Sequence, residues 1–63
     1  MVYRVTRDFI YFEWDGDYCV IDKNYRRGNL IEVQNYDDCT SLGLVNISDL
    51  PAPVAALLWG VHV

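Results

Sequence analysis

Two runs rich in aromatic and β-branched residues, Phe-Ile-Tyr-Phe-Glu-Trp at 9–14 and Asp-Tyr-Cys-Val-Ile at 17–21, are separated only by the dipeptide Asp15-Gly16. No other stretch constrains the fold so strongly. Asp-Gly supplies the positive φ angles that a two-residue hairpin turn needs, and a turn of that length fixes the register of everything on either side. Trp14 must then face Asp17, Phe12 must face Cys19 and Ile10 must face Ile21, with Tyr11 opposite Val20 on the reverse side of the ribbon. The side carrying Ile10, Phe12, Trp14, Cys19 and Ile21 is the expected core face. The reverse side, with Phe9, Tyr11, Tyr18 and Val20, is too apolar to be left in water without cost, so either the rest of the chain or a partner should cover it.

The remaining pattern adds strands around this hairpin. Residues 2–7 alternate with a period of two, which predicts a strand with Tyr3 and Val5 on its apolar side. Arg7-Asp8 breaks the register before Phe9, as a turn, as a bulge or as the bend of one long strand. After Ile21 a polar segment with turn formers at both ends reads as a loop or the tip of a second hairpin. Residues 30–36 resume as a strand, with Ile31 and Val33 facing the core and Leu30, Glu32, Gln34 and Tyr36 facing away. A loop at 37–41 leads to a fourth apolar run at 42–47, in which Gly43 marks a bulge or a sharp entry.

The last segment changes character. Pro51 and Pro53 fit only near a helix start, because each lacks an amide hydrogen. A short helix from about Pro51 or Pro53 to Trp59 is expected, capped by Ser48 or Asp49 and stopped by Gly60. Leu50, Val54, Leu57, Leu58 and Val61 lie at helical spacing and should cover the sheet, leaving Ala55, Ala56 and Trp59 on the other side. No charged side chain occurs from Leu50 onward. Trp59 should therefore pack over the sheet edge or serve self-association. Residues 1–63 thus read as a single domain, mostly β in an α+β arrangement: a small antiparallel sheet, or an SH3-like partial barrel, of four or five short strands with one short C-terminal helix.

Charge narrows the function. All five basic groups lie in residues 1–27, and the excess of −4 sits in the second half. Such a chain is a poor general ligand for nucleic acid, whose phosphates demand neutralisation, and suits basic protein surfaces better. The lone histidine, His62, has no nucleophile or orienting acid beside it in sequence, and no Cys-x-x-Cys pair suggests a metal. A chain this short also leaves little room for a substrate concavity of ~300 Å³ or more. These features point away from an enzyme, a cofactor and a metal. The two cysteines, Cys19 on a core strand and Cys39 in a loop, read as thiols in a reducing compartment. No run is long enough to span a membrane, and Met1 leads straight into a strand-like pattern, so cytoplasm is the expected setting.

Two resemblances bear on this. The order Phe12-x-x-x-Gly16-Asp17, then Tyr25-Arg26-x-Gly28, then Gly43-Leu44-Val45 resembles the strand sequence of SH3-type small barrels over residues 9–50. The paired tryptophans and the proline that grip peptides in those domains have no equivalent, so no binding residues carry over. In size and charge alone, the chain is similar to compact acidic inhibitors that bacteriophages encode against host enzymes or defence systems. The resulting expectation is a small acidic, non-enzymatic inhibitor or regulator that occludes a larger protein partner. Tyr11, Tyr18 and Trp59 would be its aromatic anchors, and Asp37 and Asp38 would steer association. The competing reading is a small-barrel nucleic-acid module using Lys23, Tyr25, Arg26 and Arg27, a mixture of cations and an aromatic ring that suits single strands.

Overall fold

The computed structural model describes residues 1–59, and the expectations attached to Gly60, Val61 and His62 lie outside them. Six strands form one antiparallel sheet: β1 (Val2–Val5), β2 (Phe9–Trp14), β3 (Asp17–Asp22), β4 (Arg26–Arg27), β5 (Leu30–Asn35) and β6 (Ser41–Asn46). A single 3-10 turn, Ile47–Asp49, then leads into the helix α1, Ala52–Trp59. Neighbours in sequence are neighbours in space, apart from the small β4, which folds back on the beginning of β5 while β3 pairs with its end. β6 occupies the other side of β5. The sheet is open, so the architecture is the small α+β sheet with a terminal helix that the pattern predicts, not a closed barrel.

The central hairpin forms in the register dictated by its turn. Ile10 pairs with Ile21, Tyr11 with Val20, Phe12 with Cys19 and Trp14 with Asp17. Asp15 and Gly16 take φ of 51° and 83°, both left-handed, which is the type I′ geometry that matches strand twist. Beyond Ile21, the segment expected as a loop or the tip of a second hairpin forms the hairpin, with the short strand β4 on its near side. Arg26 pairs with Ile31 and Arg27 with Leu30 across a second two-residue turn at Gly28-Asn29, with Gly28 at φ 56°. Two residues carry too little periodicity to announce a strand. Gly43, at φ 101°, accompanies a register shift between β5 and β6, as expected of a bulge.

One face of the sheet is the core. Ile10, Phe12, Cys19, Ile21, Ile31 and Val33 are buried against Ile47, Leu50, Val54 and Leu58. At about 1.5–3 kcal/mol per fully buried aliphatic or aromatic side chain, this cluster supplies most of the drive to fold.

Three local expectations change. The β1–β2 pairing shifts register between Val2 and Arg4, so it is Val2 that packs against the core while Tyr3 and Val5 are exposed. A bulge puts two consecutive side chains out of simple alternation, which defeats the period-two reading. Ser48 and Asp49 do not cap α1. They lie inside the 3-10 turn, whose cap is Asn46, its side chain accepting from the Ser48 amide at 3.1 Å. In α1 itself the amides of Val54 and Ala55 donate to the Pro51 carbonyl. Finally, Ala55 rather than Leu57 packs against the core beside Val54 and Leu58, and Leu57 is exposed. The buried side of the helix is thus turned toward its smaller side chain.

Candidate functional site

Because α1 covers the Ile10 and Phe12 side of the hairpin, the opposite side is uncovered by any described element. That side is aromatic. Glu13 and Tyr18 are directly paired, as are Tyr11 and Val20, so the outward rings of β2 and β3 lie diagonally across the ribbon. The β1 bulge delivers Tyr3 to the same face, where its ring centroid lies 5.3 Å from that of Tyr18. The fourth ring comes from beyond β5. The Tyr36 amide donates to the Tyr18 carbonyl at 2.8 Å, extending the β3–β5 ladder by one step. Tyr36 thereby meets Tyr11 edge to face, with centroids 5.6 Å apart. Phe9 continues the row, 6.3 Å from Tyr11.

These rings wall an open groove of about 350 Å³, lined by Tyr3, Arg4, Tyr11, Tyr18, Tyr36 and Asp37, with Phe12 and Cys19 beneath. The expectation that so short a chain leaves little room for a concavity of this size is therefore corrected. A sheet covered on one face only can offer its other face whole. Tyr18 and Tyr36 are 52% and 56% exposed, which is unusual for adjacent large rings.

Charged groups border the groove. The Tyr3 hydroxyl donates to Glu13 Oε1 at 3.2 Å. Local desolvation, reinforced by the Glu13 carboxylate and by Tyr18, pushes the Tyr3 phenol up to about 12. Asp37 is held on the rim by its amide, which donates to Asn35 Oδ1 at 2.9 Å. Arg4 lies over Tyr11, its guanidinium carbon 5.8 Å from the ring centre.

The sequence-predicted anchors are thus divided. Tyr11, Tyr18 and Asp37 are brought together in the groove; Asp38 and Trp59 are not. The Asp38 carboxylate accepts from the Thr40 hydroxyl at 2.7 Å and from the Thr40 amide at 3.1 Å. Those bonds hold it below the usual carboxylate range, and they build the loop in which Cys39 takes φ 61°. Trp59 stacks on Arg26, whose guanidinium carbon is 4.6 Å from the ring centre. It has a partner within the chain at β4, although 47% of its surface is exposed.

Arg26 is similarly engaged. It donates to the Gly28 carbonyl at 2.9 Å and to the Leu58 carbonyl, placing a cation at the negative end of α1. Arg27 and Tyr25 are exposed, and with Asn24, Glu32, Leu44 and Arg26 they line a shallow concavity of about 550 Å³. Lys23 lies in the turn before them and donates its amide to the Asp8 carbonyl. Tyr3 and Tyr36 were the groove residues that alternation alone did not single out: Tyr36 was readable as outward-facing, whereas Tyr3 was hidden by the bulge.

Among the described residues no cluster of His, Cys, Asp and Glu is placed to hold a metal ion, and no helix is long and apolar enough to cross a membrane. Both cysteines are free thiols, Cys19 buried and Cys39 exposed. Burial, together with the charges of Asp17 and Asp15, pushes the Cys19 thiol up. Comparison with protein families, with curated proteins and with solved structures gives no match.

Proposed function

We propose that this chain is a small interaction protein that binds a larger protein and occludes part of it, acting as an inhibitor or regulator and not as a catalyst. The observation that carries this reading is the uncovered tyrosine face of β1–β3 and the strand end at Tyr36. Four tyrosines sharing one concavity present large, stiff, amphipathic area at small cost in side-chain entropy, the composition that dominates binding hot spots. The surrounding acids, and a net charge of −4, favour a partner whose facing surface is basic.

The nucleic-acid reading rests on the concavity beside Tyr25 and Arg27. It is the weaker one. Arg26 is occupied by two carbonyls and a ring, and Glu32 adds a negative wall.

The test uses the whole chain as bait. A protein captured from lysate by the wild-type chain is identified, purified and titrated back. The reading predicts 1:1 binding that weakens by more than about 2 kcal/mol in Tyr11→Ala or Tyr18→Ala, the hot-spot scale, while circular dichroism shows both variants folded. Unchanged affinity in both would overturn it, as would a labelled single strand that binds and is released by Arg27→Ala.

A further inference from the structure

We infer that the tyrosine groove is built to take a cation, specifically the guanidinium of an arginine carried on an extended segment of the partner protein. This rests on the reading of the aromatic face as the docking surface, and it names what that surface recognises.

Three observations carry it. The first is the wall chemistry. Tyr3, Tyr11, Tyr18 and Tyr36 surround one volume of about 350 Å³, and the face of a tyrosine ring carries a quadrupole that attracts positive charge. A guanidinium is planar and weakly hydrated, so it can stack against such rings where an ammonium would have to shed tightly held water.

The second is the placement of negative charge. Asp37 lines the groove itself, and Glu13 is tied to a second lining residue through the Tyr3 hydroxyl. A carboxylate beside an aromatic slot completes what an arginine requires: a π face for the plane and an acceptor for the N–H fork.

The third is that the chain already places a cation there. Arg4, exposed on β1, lies at 5.8 Å from the centre of the Tyr11 ring, close to the outer limit of about 6 Å for a cation–π contact. The ring thus has an affinity for guanidinium that is only loosely satisfied from within. An incoming arginine competes with Arg4 for Tyr11 and gains Asp37 in addition.

This arrangement yields a signature that simple hydrophobic docking would not produce. Removing the resident cation should strengthen binding, because it frees the Tyr11 face and removes a like charge.

The experiment is a nuclear magnetic resonance titration of the full chain, labelled at tyrosine, with the blocked pentapeptide acetyl-Gly-Val-Arg-Val-Gly-amide. The same peptide with citrulline in place of arginine is the neutral control, and one with lysine is the third arm. The expected result is saturable shifts at Tyr3, Tyr11, Tyr18 and Tyr36 with the arginine peptide, weaker binding with lysine, and a loss of about fivefold or more with citrulline. Arg4→Ala should tighten the arginine peptide, and Asp37→Asn should loosen it. Both positions are exposed, so neither change threatens the fold.

Equal binding of the arginine and citrulline peptides would overturn the inference, as would weakening in Arg4→Ala or an absence of tyrosine shifts with any peptide. If that happens while Tyr11→Ala still loses the captured protein, the docking surface stands and only its cation preference falls. If Tyr11→Ala retains the captured protein, the docking surface itself is refuted.

Discussion

Replacing Arg26 with alanine should destabilise the protein by about 2 kcal/mol, and the figure can be assembled from its contacts. The guanidinium donates to the Leu58 and Gly28 carbonyls and stacks on Trp59. A hydrogen bond from a charged donor contributes about 1.5–3 kcal/mol, and an exposed cation–π contact about 0.5–1 kcal/mol. Arg26 is only half-buried and water replaces part of what is lost, so the low end of one charged bond plus the ring contact is the appropriate sum. For a domain of this size 1 kcal/mol corresponds to about 4–8 °C, giving a fall in Tm of about 8–16 °C. Urea denaturation followed by far-ultraviolet circular dichroism measures it directly. Arg26→Lys retains the charge but lacks the planar fork, and should lose about half as much. Arg27→Ala, at the exposed next position on β4, is the internal control and should stay within about 0.5 kcal/mol. A change below about 0.5 kcal/mol in Arg26→Ala, or an equal cost in Arg27→Ala, would refute the argument that β4 exists to hold the end of the helix.

Three further outcomes follow from named contacts. In a spectrophotometric titration Tyr3 should ionise near pH 12, because its phenol is pushed up to about 12. The neutral phenol is the form that the fold favours, so its contribution is complete below the ordinary value near 10 and is lost as pH rises toward 12. In Glu13→Gln that late ionisation should move part of the way back toward the ordinary value near 10. With a thiol reagent under native conditions, Cys39 should react promptly, while Cys19 should wait for unfolding, since it is buried with its thiol pushed up; two equally fast thiols would contradict this. Phe12→Ala removes a fully buried ring from the centre of the core. The cost of about 3–5 kcal/mol is comparable to the whole stability of so small a domain, so the variant should be largely unfolded at 25 °C by circular dichroism.

How much of this could be read from the chain depended on how each element is encoded. Asp15-Gly16 admits essentially one geometry, so the pairings of Ile10, Phe12 and Trp14 followed from counting outward. Ile31 and Val33 were legible because β5 keeps strict alternation with Glu32 and Gln34. The bulge beside Tyr3 has no comparable marker: it contains no glycine, and alternation read through it puts Tyr3 on the side of Val5, which pairs with Ile10. The phase of α1 was read correctly at Leu50, Val54 and Leu58, which are buried, and missed at Leu57 and Ala55, because the helix is apolar all round and marks no sharp edge to its buried side. Arg26 is the sharpest case. Composition made it a ligand-seeking cation, whereas only the tertiary fold brings the Leu58 carbonyl and the Trp59 ring to it, thirty-two and thirty-three positions along the chain.

The half of the site that was legible, Tyr11 and Tyr18, came from the hairpin register. The other half came from a bulge and from a strand that runs one ladder step past its end. Together they turn the uncovered side of the hairpin into a concave surface rather than a flat one. On the proposed reading the hairpin is both scaffold and docking surface, with the helix on the scaffold side.

The central claim is that the partner lands on the tyrosine face and not on the helix. Amide and ring chemical shifts of the labelled chain, recorded free and saturated with the captured and purified partner, test it most directly. The account predicts perturbations concentrated at Tyr3, Tyr11, Tyr18, Tyr36 and Asp37, with α1 little changed. Perturbations confined to Arg26, Leu57 and Trp59, with the four tyrosines unmoved, would contradict it.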